Sequence, residues 1–268
     1  MKIEFFGIQT KLIDSSDKNI AELILDSLLE NDIQIQDGDI IIIASKIISI
    51  IEGNQIPLNE ITRIREEANI TAEKTKLDPC FVEVVFREAD EVIGAVPGAI
   101  LALKNNIIQA NAGADRSNSG GDEFLIVLPK DPTQSADRIR QSISRETNKK
   151  IGIIIADSKT HPLRRGTSGF ALAVSGFMPI IDDRGSSDLY GHKMVITTRA
   201  IADNIVCGAE ILMGESNQRI PLVVARGCKD IITFDDSDTE SHNELMKISP
   251  EYCLYMGPLW HNRKTKMK

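Results

Sequence analysis

Two short apolar runs constrain the fold of this chain more than any other feature. The segments "DIIIIAS" (39–45) and "KIGIIIAD" (150–157) are continuously apolar rather than alternating in polarity. This pattern is typical of strands that are covered on both faces of a sheet. The chain has 268 residues, of which 42% are hydrophobic, so it is long enough to bury a sizeable core. We therefore expect a layered core around these two strands, in one large domain or two smaller ones.

Further strands and helices are interleaved around the two apolar runs. Strands are predicted at 2–6, 123–129 and 221–226, with a hairpin over 99–113 that turns at Asn105 and Asn106. Helices are predicted at 19–30, 60–76, 78–92, 133–148 and 197–214. The order lacks the regular strand–helix alternation of a dinucleotide-binding fold, so the predicted class is α+β, with mixed sheets and packed helices. The polar segment 234–245 is interpreted as a disordered or lid-like insertion.

Composition excludes several classes of protein. Lysine and arginine total 31 against 39 acidic residues, and the net charge of -8 argues against a nucleic-acid partner. No apolar stretch approaches the roughly 20 residues of a membrane span, and the N-terminus lacks the apolar segment of a secretory signal. We therefore expect a cytoplasmic protein with no membrane association. Its four cysteines form no CxxC pair, which favours free buried thiols: Cys80, Cys207, Cys228 and Cys253.

Three clusters of oxygen-bearing residues lie where predicted strands or helices end. Asp115 lies in "NAGADRSN" after the hairpin, Asp157 and Ser158 follow "IGIII", and Glu215 follows a helix that closes at Gly214. Carboxylates flanked by Gly, Ser and Asn suit hard cations, which require oxygen ligands and an adaptable backbone. Turn and capping chemistry is the better explanation for any one of these clusters alone. Only the three together indicate a metal site.

A pair of arginines follows the second cluster. Arg164 and Arg165 precede "GTSG", so forked guanidinium donors stand beside accessible backbone N–H groups. This combination suits phosphates or carboxylates, and a structural salt bridge is an equally good explanation for Arg164 alone. Because the chain has neither GxxxxGK[ST] nor a GxGxxG after a strand, any nucleotide must bind without the common phosphate-binding loops.

Several motifs taken together resemble one enzyme family. The segments "NAGADRSN", "LRRGTSGFALAVSGF", "DDRGSSDLYG", "AIADNIVCGAEILMGE" and "IPLVVARG", in this order and spacing, resemble the coenzyme F-420 γ-glutamyl ligases from about Ile3 to Gly227. The resemblance implies an archaeal, cytoplasmic enzyme with an unusual α+β fold that forms an intertwined homodimer. It also implies addition of L-glutamate to the deazaflavin coenzyme F-420-0, using GTP, divalent Mn²⁺ or Mg²⁺ (two ions) and monovalent K⁺. The reaction implied for this class passes through an acyl phosphate.

The resemblance also assigns roles to particular residues. The expected metal ligands are Asp115, Asp157, Ser158 and Glu215. The expected nucleotide contacts are Leu12, Ile13, Ser45, Lys46, Asn118 and Gly214. Arg164 and Arg165 are the expected catalytic residues, and they are expected to bind phosphate or the substrate carboxylate. The domain prediction is a ligase-like domain over 1–230 and a polar C-terminal extension over 231–268.

The chain departs from the family's pattern at four places. Ile50 stands where a nucleotide-contacting lysine is expected, "KTHP" replaces a "GR" pair after the motif aspartate, and Asn204 and His192 replace a common Glu and Arg. Loss of an ammonium group removes a phosphate donor. Two alternatives therefore stay open. One is a γ-glutamyl ligase for another acceptor, and the other is a non-catalytic protein that binds nucleotide or deazaflavin.

Overall fold

A computed structural model describes residues 2–121 and 123–258 of the chain. Its strands are β1 (Glu4–Ile8), β2 (Ile40–Ala44), β3 (Gln55–Pro57), β4 (Glu91–Val96), β5 (Ala99–Lys104), β6 (Ile107–Ala110), β7 (Phe124–Ile126), β8 (Gly152–Thr160), β9 (Thr167–Ser175), β10 (Ile180–Asp182), β11 (Thr198–Ala200) and β12 (Leu222–Arg226). Its α-helices are α1 (Ile20–Glu30), α2 (Ser45–Ile51), α3 (Glu66–Thr75), α4 (Pro79–Glu88), α5 (Pro132–Thr147), α6 (Ile201–Met213) and α7 (Thr239–Leu245). The predicted α+β class with mixed sheets is confirmed.

The two apolar runs form the centre of a five-stranded sheet with the order β1-β12-β2-β8-β9. Strands β2 and β8 pair in parallel, with Ile41 opposite Ile153, and the other pairs are antiparallel. Side chains alternate across a strand. Ile41 and Ile153 therefore face one layer with α1 and α5, whereas Ile42 and Ile154 face the other layer with α6. Both faces are buried, as the continuous apolar runs predicted.

A second, smaller core lies beside the sheet. Helices α3 and α4 pack against the three-stranded antiparallel sheet β4-β5-β6, around buried residues such as Phe81 and Ile100. The short antiparallel pair β3-β7 contributes Ile56 and Leu125 to this core. The predicted hairpin is confirmed: Asn105 and Asn106 both have positive φ, at 50° and 63°, as a tight two-residue turn requires.

Three predicted helices are shorter than expected. The first of the two middle helices begins at Glu66 rather than at residue 60, and the second ends at Glu88 because the chain continues as β4, which pairs with β5. Similarly, residues 198–200 of the segment 197–214 form β11 before α6 begins. Tertiary strand pairing overrides local helix propensity in β4 and β11, whereas residues 61–65 form neither helix nor strand.

The interpretation of 234–245 as disordered or lid-like is wrong. Residues 239–245 form α7, which begins where the Asp238 side chain accepts a hydrogen bond from the Ser241 N–H. His242 and Asn243 are buried against the sheet. The polar side chains that suggested disorder instead serve as a helix cap and as buried hydrogen-bonding groups.

Two segments connect paired strands in the second half of the chain. The turn 161–166 connects β8 to β9, and the arm 183–197 connects β10 to β11. Most residues of both segments are exposed. No helix among residues 2–121 and 123–258 has the length and apolar character to cross a bilayer.

Candidate functional site

A cavity of about 560 Å³ opens at the end of β2, beside Asp157 and Ser158 in β8. Because β2 and β8 are parallel and in register, Ala44 pairs with Ala156. Ser45 and Lys46, which follow β2 at the start of α2, therefore lie beside Asp157 and Ser158, which follow Ala156 within β8. The volume lies within the roughly 300–1,000 Å³ of small-molecule sites.

A third segment brings Asp115 to the same place. Its backbone N–H donates to the carbonyl of Ile126, which fixes the segment beside β7. Lys46 Nζ lies 2.7 Å from Asp115 Oδ2 and 2.8 Å from both the hydroxyl and the carbonyl oxygen of Ser117. Burial alone would raise the pKa of Asp115, but the hydrogen bonds from Lys46 and Ser117 lower it below its usual value. Asp115 is therefore the carboxylate of this site that already has a cationic partner.

The end of α6 supplies the opposite rim. Gly214 has φ +63°, and a Cβ there would lie 2.4 Å from the Gln218 carboxamide, so this reversal requires glycine. Glu215 follows directly and accepts a 2.7 Å hydrogen bond from the Thr167 hydroxyl. Asn118, with φ +54°, donates to the carbonyl of Ser216 over 3.1 Å and so connects the Asp115 segment to this rim.

A fourth carboxylate, Glu210, was missed by sequence reasoning. It lies on α6 one turn before Gly214 and lines the cavity. The signal was present, because Glu210 is an acidic residue within the otherwise apolar stretch "IVCGAEILM". Burial, together with the charges of Glu215 and Asp157, raises the pKa of Glu210 to about 7.

Asp157 lies in a similar electrostatic environment. Burial raises the pKa of Asp157 to about 7, and the nearby charges of Asp115 and Glu215 add to this rise. The Ser158 N–H and the charge of Lys46 oppose it only in part. The cavity wall thus holds four carboxylates, two of which are destabilised in their charged form, and a bound cation would relieve this repulsion.

The donor set fits a hard divalent cation in its chemistry. Asp115, Asp157, Glu210 and Glu215 supply only oxygen ligands around one cavity. Within the described ranges, however, no three His, Cys, Asp or Glu side chains lie close enough together to hold a metal ion. The four carboxylates line one cavity without forming a coordination shell in this conformation.

The structure brings together ten of the twelve predicted site residues. These residues line the cavity: Leu12, Ile13, Ser45, Lys46, Asp115, Asn118, Asp157, Ser158, Gly214 and Glu215. Arg164 and Arg165 do not line it, but lie exposed in the turn between β8 and β9. Neither guanidinium forms an ion pair with the residues that the structure describes. The structure therefore does not support a structural salt bridge for Arg164. A second cavity of similar volume, between α1 and α5, contains none of the predicted site residues.

These features define a cavity of small-molecule size whose wall carries clustered carboxylates, and comparison with known proteins gives the class of protein. Residues 7–227 match the model of the F420-0:Gamma-glutamyl ligase family. The chain belongs to this family, and it is an enzyme of the ligase class. The resemblance found in the sequence motifs is thereby confirmed.

Individual relatives agree with the family match. The chain is 36% identical over 228 residues to the coenzyme F420:L-glutamate ligase of Methanocaldococcus jannaschii, covering 84% of this chain and 88% of that protein. It is likewise 36% identical over 228 residues to the protein of the same name from Methanothermobacter thermautotrophicus, covering 85% and 90%. The corresponding protein of Methanococcus maripaludis is 38% identical over 228 residues, covering 84% and 88%.

Proposed function

We propose that this enzyme joins L-glutamate to the deazaflavin coenzyme F-420-0 through an amide bond, at the expense of GTP, in coenzyme F-420 biosynthesis. The names of the relatives support the acceptor and the amino acid. The observation that carries the proposal is the parallel pairing of β2 with β8 at Ala44 and Ala156, which brings Lys46 and Asp157 into one cavity beside Asp115.

The proposed chemistry passes through an acyl phosphate. An oxygen of the terminal carboxylate of F-420-0 attacks the γ-phosphorus of GTP, and the bond to the β-phosphate oxygen breaks to release GDP. The amine of glutamate then attacks the acyl carbon, loses a proton and displaces inorganic phosphate. Both steps bring anions together, so they require clustered cations and exclusion of water.

The residues of the cavity have distinct roles in this proposal. Asp115, Asp157, Ser158 and Glu215 would hold Mn²⁺ or Mg²⁺, and two such ions would offset the negative charge of the phosphate oxygens. Lys46 orients Asp115 through its 2.7 Å contact. Leu12, Ile13, Ser45, Asn118 and Gly214 line the remaining wall and would contact the nucleotide. A requirement for K⁺ rests on the family resemblance alone.

The deciding experiment is mass spectrometry of F-420-0 incubated with the protein, L-glutamate, GTP and Mn²⁺. The expected product is heavier by one or more glutamyl residues. The Asp157→Asn variant should form none, whereas Asp26→Asn, at an exposed position of α1, should act like the wild type. If GTP binds without product, the protein is a nucleotide-binding protein instead. If GTP is hydrolysed only with a different acceptor, it is another γ-glutamyl ligase.

We also propose that the arm 183–197 is covered by a second copy of the chain. Leu189 and Tyr190 are 99% and 86% exposed, and Val195 and Ile196 on the return segment are also exposed. Exposed apolar residues concentrated in this way mark interaction surfaces. An exposed arm between β10 and β11 is consistent with a homodimer of intertwined chains.

Sedimentation equilibrium tests the assembly. We expect a dimer at micromolar concentration and a melting temperature that rises with protein concentration. The double substitution Leu189→Ser and Tyr190→Ser should shift the equilibrium to monomer, whereas Leu29→Ser, at an exposed position of α1, should not. A wild-type monomer with full activity would contradict this proposal.

A further inference from the structure

The hydroxyl of Ser49 is a buried polar group that has no partner, and it lies at the wall of the cavity. Ser49 is 1% exposed, and its Oγ makes no hydrogen bond with the residues that the structure describes. A buried hydroxyl without a partner destabilises a fold by about 1–3 kcal/mol. Such a group therefore indicates a partner that binds there, either a ligand or an ordered water.

A neighbouring group is in the same condition. The backbone N–H of Asn54 donates to the Ser49 carbonyl over 2.8 Å, and the side-chain Nδ2 of Asn54 is also buried and unpartnered among the described residues. The Asn54 carbonyl in turn accepts from the N–H of Val127, which lines the cavity. A second unsatisfied group therefore belongs to a residue whose backbone is hydrogen-bonded both to Ser49 and to Val127 of the cavity wall.

The surroundings of Ser49 indicate whether a charged or a neutral ligand group binds there. Ser49 lies one helical turn beyond both Ser45 and Lys46 on α2, and the ammonium of Lys46 already donates to Asp115 and Ser117. Apolar residues that line the same cavity include Ile50, Val127 and Leu128. A charged phosphate would lose its hydration there without compensation, whereas a neutral hydrogen-bonding group would not.

We infer that Ser49 is a specificity-determining residue that hydrogen-bonds the neutral part of the bound nucleotide, its base or ribose, rather than its phosphates. This inference rests on the proposed GTP site, because the nucleotide must occupy the cavity. The hydroxyl is covered in the present conformation, so the contact requires a side-chain rotation at the wall, which commonly accompanies binding. The apolar Ile50 beside it then packs against the same neutral part of the ligand.

The test compares two ligands in the presence of Mn²⁺, namely GTP and inorganic tripolyphosphate, by titration calorimetry. The Ser49→Ala variant should bind GTP roughly five- to tenfold more weakly, the loss expected for one hydrogen bond. It should bind tripolyphosphate as the wild type does. Ser144→Ala is the matched control, because the Ser144 hydroxyl is also buried and unpartnered among the described residues but does not line the cavity. That variant should bind both ligands normally.

Thermal unfolding separates binding from stability. Without ligand, Ser49→Ala should melt at or above the wild-type temperature, because alanine removes the unpaired hydroxyl and favours a helix. Ser49→Cys, which is slightly larger than serine and hydrogen-bonds only weakly, should show the same loss of GTP affinity. Unchanged GTP affinity in both variants would overturn the inference, and so would an equal loss for tripolyphosphate. Failure of the wild type to bind GTP would instead overturn the proposed function, and the inference with it.

Discussion

The hydroxyl of Thr167 donates a 2.7 Å hydrogen bond to the carboxylate of Glu215. This contact joins the first residue of β9 to the loop after α6. Only Gly166 separates Thr167 from Arg165. A single exposed hydrogen bond therefore links the end of the turn that carries the two arginines to the rim of the cavity, although the arginine side chains lie outside its wall.

Replacement of Thr167 by valine should weaken catalysis without affecting the fold. Valine keeps the branched shape, but it cannot hold Glu215 or restrain the arginine turn. We expect kcat/KM to fall roughly three- to tenfold, the effect of one hydrogen bond of about 1 kcal/mol. Thr160 pairs directly with Thr167 across the hairpin and is equally exposed, so Thr160→Val is the matched control. Equal activity of the two variants would show that the contact is incidental.

The paired arginines should affect turnover more than affinity. A guanidinium that stabilises transferring phosphoryl oxygens acts mainly in the transition state. We therefore expect Arg165→Ala to lower kcat roughly tenfold or more, with nucleotide affinity changed by less than about twofold. Arg165→Lys should also be impaired, because lysine lacks the planar fork. Arg164→Ala is expected to have the smaller effect.

Steady-state kinetics with GTP, glutamate and F-420-0 provide this measurement, together with calorimetry of nucleotide binding. Normal turnover in both alanine variants would contradict a chemical role for this turn. A change in affinity alone would mean that the arginines position the ligand without stabilising the transfer. Since neither side chain lines the cavity in this structure, a chemical role also requires the turn to move towards it.

The sequence predicted the core better than it predicted the site's boundaries. The runs around Ile41 and Ile153 identified two doubly covered strands because burial on both faces leaves no polar alternation. Their parallel pairing, which brings Lys46 beside Asp157, depends on long-range contacts that local patterns do not contain. Glu210 was missed for the same reason, since its role depends on which face of α6 meets the cavity.

Stability at acidic pH should depend on Glu83, a buried carboxylate of α4. Burial alone would raise its pKa, but hydrogen bonds from Arg65 and Arg87 hold the pKa of Glu83 at about 2. Because the folded pKa is below the unfolded value of about 4.3, the stabilisation is present above pH 4 and is lost as pH falls towards 2. We expect this contribution to be about 2–3 kcal/mol at neutral pH.

The Glu83→Gln variant tests this linkage by urea unfolding at pH 7 and pH 3. At pH 7 the variant should be less stable than the wild type by about that amount, and the difference should shrink at pH 3. Glu73→Gln, at an exposed position of α3, should match the wild type at both values. A destabilisation that is independent of pH would show that the packing of Glu83 matters and its charge does not.

The last prediction concerns Asn243, which covers an edge of the central sheet. Its Oδ1 accepts from the N–H of Val174 over 2.9 Å, and its Nδ2 donates to the Val174 carbonyl over 2.8 Å. Strand β9 is the edge of the sheet, and Val174 pairs with Ile154 on its other side. The carboxamide of Asn243 therefore satisfies the two backbone groups that a further strand would otherwise bind.

Removal of this side chain should strongly destabilise the fold. In Asn243→Ala the buried N–H and carbonyl of Val174 lose their partners, so we expect a loss of about 2–4 kcal/mol in urea unfolding, with increased aggregation through the exposed edge. Asn243→Asp should be similarly unstable, because a carboxylate cannot donate to the carbonyl and would be a buried charge. Asn69→Ala, at an exposed position of α3, serves as the control. Asn243 lies beyond residue 227, where the family match ends. A loss below about 1 kcal/mol would therefore show that the C-terminal segment lies on the core without stabilising it.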